Sequence, residues 1–224
     1  AQGGQDGADR AEERLPGQRG HGGAVGVFPE EAKTWNKKTY EKIKKLAKNN
    51  SKVVAIGEIG LDYYWDTTYV ELQKGIFIKQ IQLANELNLP IDVHDREAHK
   101  DTFDILKEYN KGSDVVLHCF SGSVEFAKEC IKQGWYLSLG GVVTFKNAKK
   151  MKEVAKEIPL EHLMLETDAP YLAPVPFRGK TNEPKYIPYI AQEIADLKEI
   201  SLRNVTNVTT INAEKVFRIW KKKD

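Results

Sequence analysis

Cysteine is scarce in this sequence, which contains only Cys119 and Cys130. Two cysteines cannot form the disulfide framework on which small secreted domains depend, so we expect both to be reduced thiols of a cytoplasmic protein. Long apolar runs are missing as well: no stretch approaches the ~20 residues that a membrane-spanning helix needs. The N-terminus also carries no signal-peptide core. We therefore expect no attachment to a membrane.

A strong excess of charge of one sign is also missing, because the formal net charge is +2. That value is too small to indicate nucleic-acid binding by itself. It does not exclude a phosphate ligand either, since the local clustering of charge matters more than its sum. A chain of 224 residues is long enough to bury a full core. We expect one domain over residues 24–224, because an α/β barrel of this size is a single domain.

The N-terminal stretch Ala1–Gly23 lacks the large apolar residues that a core requires. It is rich in Gly, Gln, Arg, Asp and Glu, and Leu15 is its one aliphatic residue larger than alanine. Such a composition cannot offset the entropy that ordering would cost. We expect residues 1–23 to be a disordered or non-native tail.

Short aliphatic runs alternate with helical patterns along the rest of the chain. Brief runs with β-branched residues predict buried strands, and the clearest are Val53–Gly60, Leu89–Arg96, Val115–Gly122 and Leu163–Pro170. Weaker strands are expected at Ala24–Pro29 and Trp135–Gly141, and helices near 33–48, 70–88, 97–109, 147–157, 187–198 and 212–222. Two of the caps are expected to be Ser123, before a further helix, and Asn212. Strand–helix alternation with short connections indicates parallel strands.

Each of the four clear strands ends in a residue that can bind a metal ion: Glu58, His94, His118 and Asp168. A single polar ending is more often a helix cap or an ion-pair partner. Four of them on successive strands favour a TIM-type barrel, which gathers all its strand ends around one mouth, over a doubly wound sheet. Two imidazoles and two carboxylates suit a divalent cation such as Zn²⁺, Mn²⁺ or Mg²⁺. Asp168 could both hold the metal and take the proton of its bound water.

Five motifs of this sequence resemble those of the TatD family of metal-dependent deoxyribonucleases, within the amidohydrolase-like barrels. They are Gly57–Tyr63, Val93–Ala98, Leu117–Gly122, Leu165–Leu172 and Arg178–Pro184. The resemblance implies that Glu58, His94, His118 and Asp168 are metal ligands, with Glu58 bridging two cations and acting in catalysis with Asp168. It further implies a substrate mouth lined by Asp62, Tyr63, Arg96, Arg178 and Asn182. Arg96 and Arg178 suit phosphate, because a guanidinium binds its oxygens in bidentate fashion.

The sequence departs from the family pattern at its front. The Asp-x-His-x-His strand that carries two further ligands is absent, and Phe28 stands where the family usually has histidine. We therefore expect about six of the family's eight strands and one cation where the family holds two. On this basis nuclease activity should be weak or absent.

The function implied by the resemblance is hydrolysis of DNA phosphodiester bonds, of the 3′-to-5′ exonuclease type, on single-stranded ends. Two alternatives stay open. One is an amide or ester hydrolase of small molecules, because a fold does not fix its substrate. The other is a catalytically silent protein that binds nucleic acid or a partner. The oligomeric state does not follow from the sequence.

Overall fold

A computed structural model describes residues 22–219 of the chain. The expected tail, residues 1–23, therefore lies outside the described residues except for Gly22 and Gly23, and Gly23 belongs to the first strand rather than to a disordered tail. The chain divides into two compact units. The first runs to Val115 and resumes at Val216, and the second is Val116–Lys215. The single domain over residues 24–224 stays a prediction.

Helices alternate with strands, as the sequence predicts, and the described residues form a six-stranded sheet whose strand order follows the sequence. The strands are β1 Gly23–Val25, β2 Val53–Asp62, β3 Ile91–Arg96, β4 Val115–Leu117, β5 Tyr136–Leu139 and β6 Leu163–Leu165. The helices are α1 Lys37–Asn49, α2 Val70–Leu87, α3 His99–Tyr109, α4 Val124–Lys132, α5 Lys149–Glu157, α6 Ile187–Lys198 and α7 Leu202–Phe217.

In the first unit, β2 is the central strand and pairs in parallel with β1 and β3. It is almost continuously buried, as expected of a parallel strand that is covered on both faces. α2 packs along it through one apolar face that includes Ile76, Phe77 and Ile81. The register of β2 with β3 shifts between Ile56 and Ile59. The regular alternation of side chains along β2 is therefore interrupted in the segment that carries Glu58.

α1 begins later than the predicted position near residue 33. Asn36 is its N-cap, and its side-chain oxygen accepts hydrogen bonds from the backbone N–H groups of Lys38 and Thr39 at 2.8 and 3.1 Å. The preceding Pro29–Thr34 forms a 3-10 helix instead. The cap therefore sets the boundary, because an asparagine at this position satisfies N–H groups that have no partner within the helix.

In the second unit, β4, β5 and β6 pair in parallel, with Leu137 opposite both Leu117 and Leu163. α4 begins at the predicted cap, where Ser123 Oγ accepts a hydrogen bond from Phe126 N–H at 3.3 Å. α4 and α6 each bury an apolar stripe. Among residues 22–219, no helix is both long and apolar enough to cross a membrane.

The start predicted for the last helix, with Asn212 as its cap, is wrong. α7 begins at Leu202, and the hydroxyl and carbonyl oxygens of Ser201 both accept from the Asn204 N–H. Asn212 instead lies inside the helix, 6% exposed. Its side-chain amide donates to the carbonyl oxygens of Leu160 and Leu163 at 2.7 and 2.8 Å. Polar residues on the buried face of α7, such as Thr209 and Asn212, obscure its helical pattern in the sequence.

Candidate functional site

β2 and β3 bring two of the predicted metal ligands together, although Glu58 and His94 lie inside these strands rather than at their predicted ends. His94 Nδ1 lies 2.8 Å from Glu58 Oε1. Both side chains are accessible in part, with exposed fractions of 15% for His94 and 32% for Glu58. They therefore offer an imidazole nitrogen and a carboxylate oxygen side by side at the carboxyl end of a parallel sheet, where functional groups of such folds collect.

The other nitrogen of the His94 ring is held by Asp62. His94 Nε2 lies 2.9 Å from Asp62 Oδ2, and the Asp62 side chain is only 1% exposed. Its second oxygen, Oδ1, accepts a hydrogen bond from Tyr64 N–H at 2.9 Å. Asp62 was predicted to contact substrate, and that contact stays a prediction. Its observed contacts are with the imidazole of His94 and with the loop that follows β2.

The backbone of Asp62 is held in turn by a buried glutamine of α2. Gln73 Oε1 accepts from Asp62 N–H at 2.9 Å, and Gln73 Nε2 donates to Asp62 C=O at 3.1 Å. Further along the same helix, Gln80 bonds the backbone of Val27 in the same way. Its Oε1 accepts from Val27 N–H at 2.7 Å, and its Nε2 donates to Val27 C=O at 3.0 Å. Both backbone segments are thus hydrogen-bonded by a glutamine side chain beyond the point where the pairing of β1 with β2 has ended.

Tyr63 is tied to the scaffold rather than left open. Its hydroxyl donates to Asp101 Oδ2 at 2.8 Å, and Lys74 Nζ lies 2.8 Å from the same oxygen. Burial, together with the hydrogen bond to Asp101, raises the pKa of the Tyr63 phenol well above its ordinary value. The predicted role of Tyr63 at the substrate mouth stays a prediction; the observed hydrogen bond links the residue after β2 to α3.

Arg96, at the end of β3, stacks on exposed aromatic rings. Its guanidinium carbon lies 3.8 Å from the centre of the Tyr64 ring and 5.4 Å from that of Trp65. The Phe28 ring meets the imidazole of His94 edge-on, with ring centres 4.6 Å apart. Phe28, which stands where the resemblance leads one to expect histidine, thus covers the imidazole without offering a ligand atom.

In the second unit, His118 follows β4 and pairs with a carboxylate that the sequence analysis did not select. His118 Nδ1 lies 3.3 Å from Glu166 Oε2, and both side chains are less than one-fifth exposed. The other oxygen, Glu166 Oε1, is buried and has no hydrogen-bond partner among residues 22–219. A signal did exist, because Glu166 lies two residues before Asp168 and shares its face in an extended segment.

Asp168 stands in a loop just after β6, in the left-handed backbone region with φ +55°. The loop is closed by Asn182, which is 2% exposed. The Asn182 amide donates to the carbonyl oxygens of Thr167 and Tyr171 at 2.5 and 2.7 Å. Asn182 was predicted to contact substrate; its observed bonds hold the segment on either side of Asp168.

Arg178 is exposed and stacks on an aromatic ring, as Arg96 does. Its guanidinium carbon lies 3.7 Å from the centre of the Phe145 ring. One N–H group of this guanidinium donates to the Ala173 carbonyl oxygen at 3.4 Å, and stacking through the face leaves the other N–H groups available for an anion. Both arginines predicted to bind phosphate therefore stand in orientations compatible with that role.

The donor atoms present fit a divalent metal ion. Glu58, His94 and His118 each offer one ligand atom of a kind that metal ions bind. Imidazole nitrogen with carboxylate oxygen suits Zn²⁺ and Mn²⁺, and carboxylate suits Mg²⁺. Metal-binding histidines commonly hold their second nitrogen against a carboxylate, as Asp62 holds His94. In the second unit, the Glu166 oxygen that is buried without a hydrogen-bond partner among residues 22–219, beside His118, also fits a cation.

Sequence comparison identifies relatives along most of the chain. Residues 14–218 match the family described as TatD related DNase. The uncharacterized metal-dependent hydrolase YabD of Bacillus subtilis is 51% identical over 199 residues, which are 88% of this chain and 77% of YabD. YcfH of Escherichia coli, described in the same words, is 43% identical over 181 residues, 80% of this chain and 68% of YcfH.

Solved structures of the same family share the fold. YjjV, a TatD homologue from Escherichia coli, superimposes with a TM-score of 0.85 at 27% identity, covering 94% of this chain and 82% of YjjV. A TatD-family hydrolase from Entamoeba histolytica gives a TM-score of 0.75 at 29% identity, covering 86% and 73%. These likenesses confirm the predicted fold class, the α/β barrel of TIM type. From the match over residues 14–218 and the identity to its relatives, the chain belongs to the TatD-related DNase family.

Proposed function

We propose that the chain is a metal-dependent deoxyribonuclease that hydrolyses DNA phosphodiester bonds, from the 3′ ends of single strands. The observation that carries this proposal is the His94 ring, whose two nitrogens lie 2.8 and 2.9 Å from oxygens of Glu58 and Asp62. An imidazole fixed by a buried carboxylate, beside a second carboxylate that is more accessible, suits a divalent cation. The family name supports DNA as the substrate, and the names of the relatives support metal-dependent hydrolysis.

The ligands we propose are Glu58, His94, His118 and Asp168. Mg²⁺, Mn²⁺ and Zn²⁺ are the candidate ions, with one ion expected here where the family holds two. When bound, such an ion lowers the pKa of water and polarises a phosphoryl oxygen. Asp62 keeps the His94 ring in one orientation, because its carboxylate oxygen lies against the nitrogen that faces away from Glu58.

We assign two further roles, proton transfer and phosphate binding, to side chains of this protein. Asp168, a carboxylate, is proposed to take the proton of the attacking water. Arg96 and Arg178 are proposed to bind the phosphate oxygens, since a guanidinium fork matches their geometry. A cytoplasmic location remains a prediction that rests on the low cysteine content.

Digestion of labelled single-stranded DNA tests the proposal. We expect nucleotides to be released only slowly from the 3′ end in Mg²⁺ or Mn²⁺, in keeping with the weak activity expected from the sequence, and release to stop in EDTA. Glu58→Gln and His94→Ala should each lower the rate by at least about 100-fold, because each removes a ligand of the ion. Binding of Mn²⁺, followed by electron paramagnetic resonance, should weaken in the same variants.

Glu41→Gln is the matched control, because Glu41 is an exposed carboxylate of α1. This variant should keep both the activity and the Mn²⁺ affinity. Unchanged DNA hydrolysis in Glu58→Gln would contradict the proposed site. A panel of amide and ester substrates tests the small-molecule alternative. Hydrolysis of one of these substrates, with DNA left intact, would favour it.

A further inference from the structure

Tyr64 and Trp65 expose large aromatic rings beside the candidate site. The residue exposures are 48% for Tyr64 and 67% for Trp65. The rings meet edge-on at 88°, with centres 4.7 Å apart. A tryptophan that remains two-thirds exposed forgoes most of the stabilisation that its burial would contribute, so its position is better explained by what it can bind. We call these two residues the aromatic platform.

The aromatic platform carries a positive charge on one side. The Arg96 guanidinium stacks on the Tyr64 ring at 3.8 Å. Stacking occupies the face of the guanidinium and leaves its N–H edge for a phosphate oxygen. Exposed aromatic faces together with an arginine are the elements that bind single-stranded nucleic acid, by base stacking and by contact with the backbone.

The aromatic platform is held at a fixed place relative to the candidate metal ligand. The Asp62 carboxylate accepts from Tyr64 N–H through one oxygen and lies against His94 Nε2 through the other, both at 2.9 Å. Arg96 is two residues beyond His94 on the same strand. Asp66 follows Trp65, and its carboxylate accepts a hydrogen bond from Thr68 N–H at 2.8 Å. This bond fixes the loop on the far side of Trp65.

We propose that the aromatic platform is a nucleobase-stacking subsite for a single-stranded DNA substrate, with Arg96 on the adjoining phosphate. This inference rests on the proposed nuclease function and specifies where the strand is held. Trp65 stacks on a base next to the phosphodiester that is cleaved, and Tyr64 carries the arginine. Stacking tolerates any base, so the subsite accepts a strand without selecting its sequence.

Binding without hydrolysis tests the aromatic platform. Fluorescein-labelled hexathymidylate and an abasic hexamer with the same phosphates are titrated with the full chain in EDTA, and anisotropy gives the Kd. The wild type should bind the thymidine strand about tenfold more tightly than the abasic strand, as stacking on one base predicts. Trp65→Ala should remove most of that difference, and Trp65→Tyr should restore it.

Two further variants separate stacking from charge and from fold. Arg96→Gln should weaken binding of both strands and reduce the salt dependence by about one phosphate contact. Tyr189→Ala removes an aromatic residue of α6 that is 43% exposed, and it should bind both strands as the wild type does. Urea unfolding midpoints of all variants verify that each is folded.

The proposal is refuted if Trp65→Ala binds both hexamers like the wild type, or if it weakens binding of the two equally. Failure of the nuclease function has a different signature. In that case the wild type, given Mn²⁺, leaves the hexathymidylate intact, whatever the binding data show. The two outcomes are therefore independent of each other.

Discussion

Replacing Gln73 with leucine should destabilise the first unit, because it leaves the backbone N–H and C=O of Asp62 without the partner they have in Gln73. Gln73 is 4% exposed and bonds both the N–H and the C=O of Asp62. The pairing of β1 with β2 runs only from Gly23 to Val25, opposite Val53 to Ile56. Asp62 lies well beyond that segment, so the glutamine amide stands where a neighbouring strand would otherwise pair.

The size of the effect follows from the two backbone groups. A buried N–H or C=O that loses its partner costs about 1–3 kcal/mol, so the pair costs about 2–6 kcal/mol. The apolar leucine side chain returns part of this through its own burial. We expect a net loss of about 3 kcal/mol in the free energy of unfolding, or a Tm lower by about 6–12 °C for a chain of this length.

Urea unfolding followed by circular dichroism measures this loss. Gln82→Leu is the matched control, because Gln82 lies on the same helix and is exposed. That substitution should change the stability by no more than about 0.5 kcal/mol. If Gln73→Leu lost less than about 1 kcal/mol, or no more than the control, the two hydrogen bonds to Asp62 would not have the weight that we assign them.

Three other predictions concern the same region. Asp62→Asn should lower Mn²⁺ affinity about 10- to 100-fold, because the partner of His94 loses its charge; paramagnetic resonance of free Mn²⁺ measures it, and unchanged affinity would contradict the positioning role. Gly60→Ala should destabilise by about 3 kcal/mol or more in urea unfolding, because Gly60 has φ +146° and an added Cβ would lie 1.9 Å from His94 O. At Gly75 an added Cβ would have no heavy atom within 4 Å, so Gly75→Ala should raise the free energy of unfolding by about 0.5–1 kcal/mol. Similar changes for the two glycine substitutions would contradict the steric argument. Hydrogen bonds from its lysine and tyrosine partners lower the pKa of Asp101. Its carboxylate therefore adds stability above the ordinary pKa, and this stability is lost as the pH falls below about 4. Acid unfolding of Asp101→Asn should accordingly depend less on pH than that of the wild type, and equal slopes would contradict this.

The strands that carry the candidate ligands could be predicted because their sequences combine brevity, apolarity and β-branched residues. β2, β3, β4 and β6 all lie within or close to the predicted runs. His118 follows its apolar run directly, whereas Glu58 and His94 lie inside β2 and β3, and Asp168 lies three residues beyond the end of β6. The boundaries were less predictable where a cap decided them, as Asn36 does for α1.

The burial of a side chain could not be predicted from the position of its residue in a motif. Asp62 and Asn182 belong to motifs that suggest contact with substrate, yet both are 2% exposed and bonded within the scaffold. Spacing indicates which face of a strand a side chain shares, but not what loop or helix lies over that face. Glu166 was overlooked for the same reason, because its partner His118 comes from a different strand ending.

The polar residues around His94 act as one support rather than as separate contacts. Gln73 fixes the backbone of Asp62, and the Asp62 carboxylate fixes both the His94 ring and the start of the loop that carries Trp65. A buried carboxylate is costly unless each of its oxygens finds a donor, and here the two donors come from the candidate metal ligand and from the aromatic platform. Any displacement of Asp62 would therefore shift both together. This linkage explains why a carboxylate with almost no exposure belongs to the motif that ends β2. Asp62 positions the side chains that are proposed to contact the metal ion and the DNA.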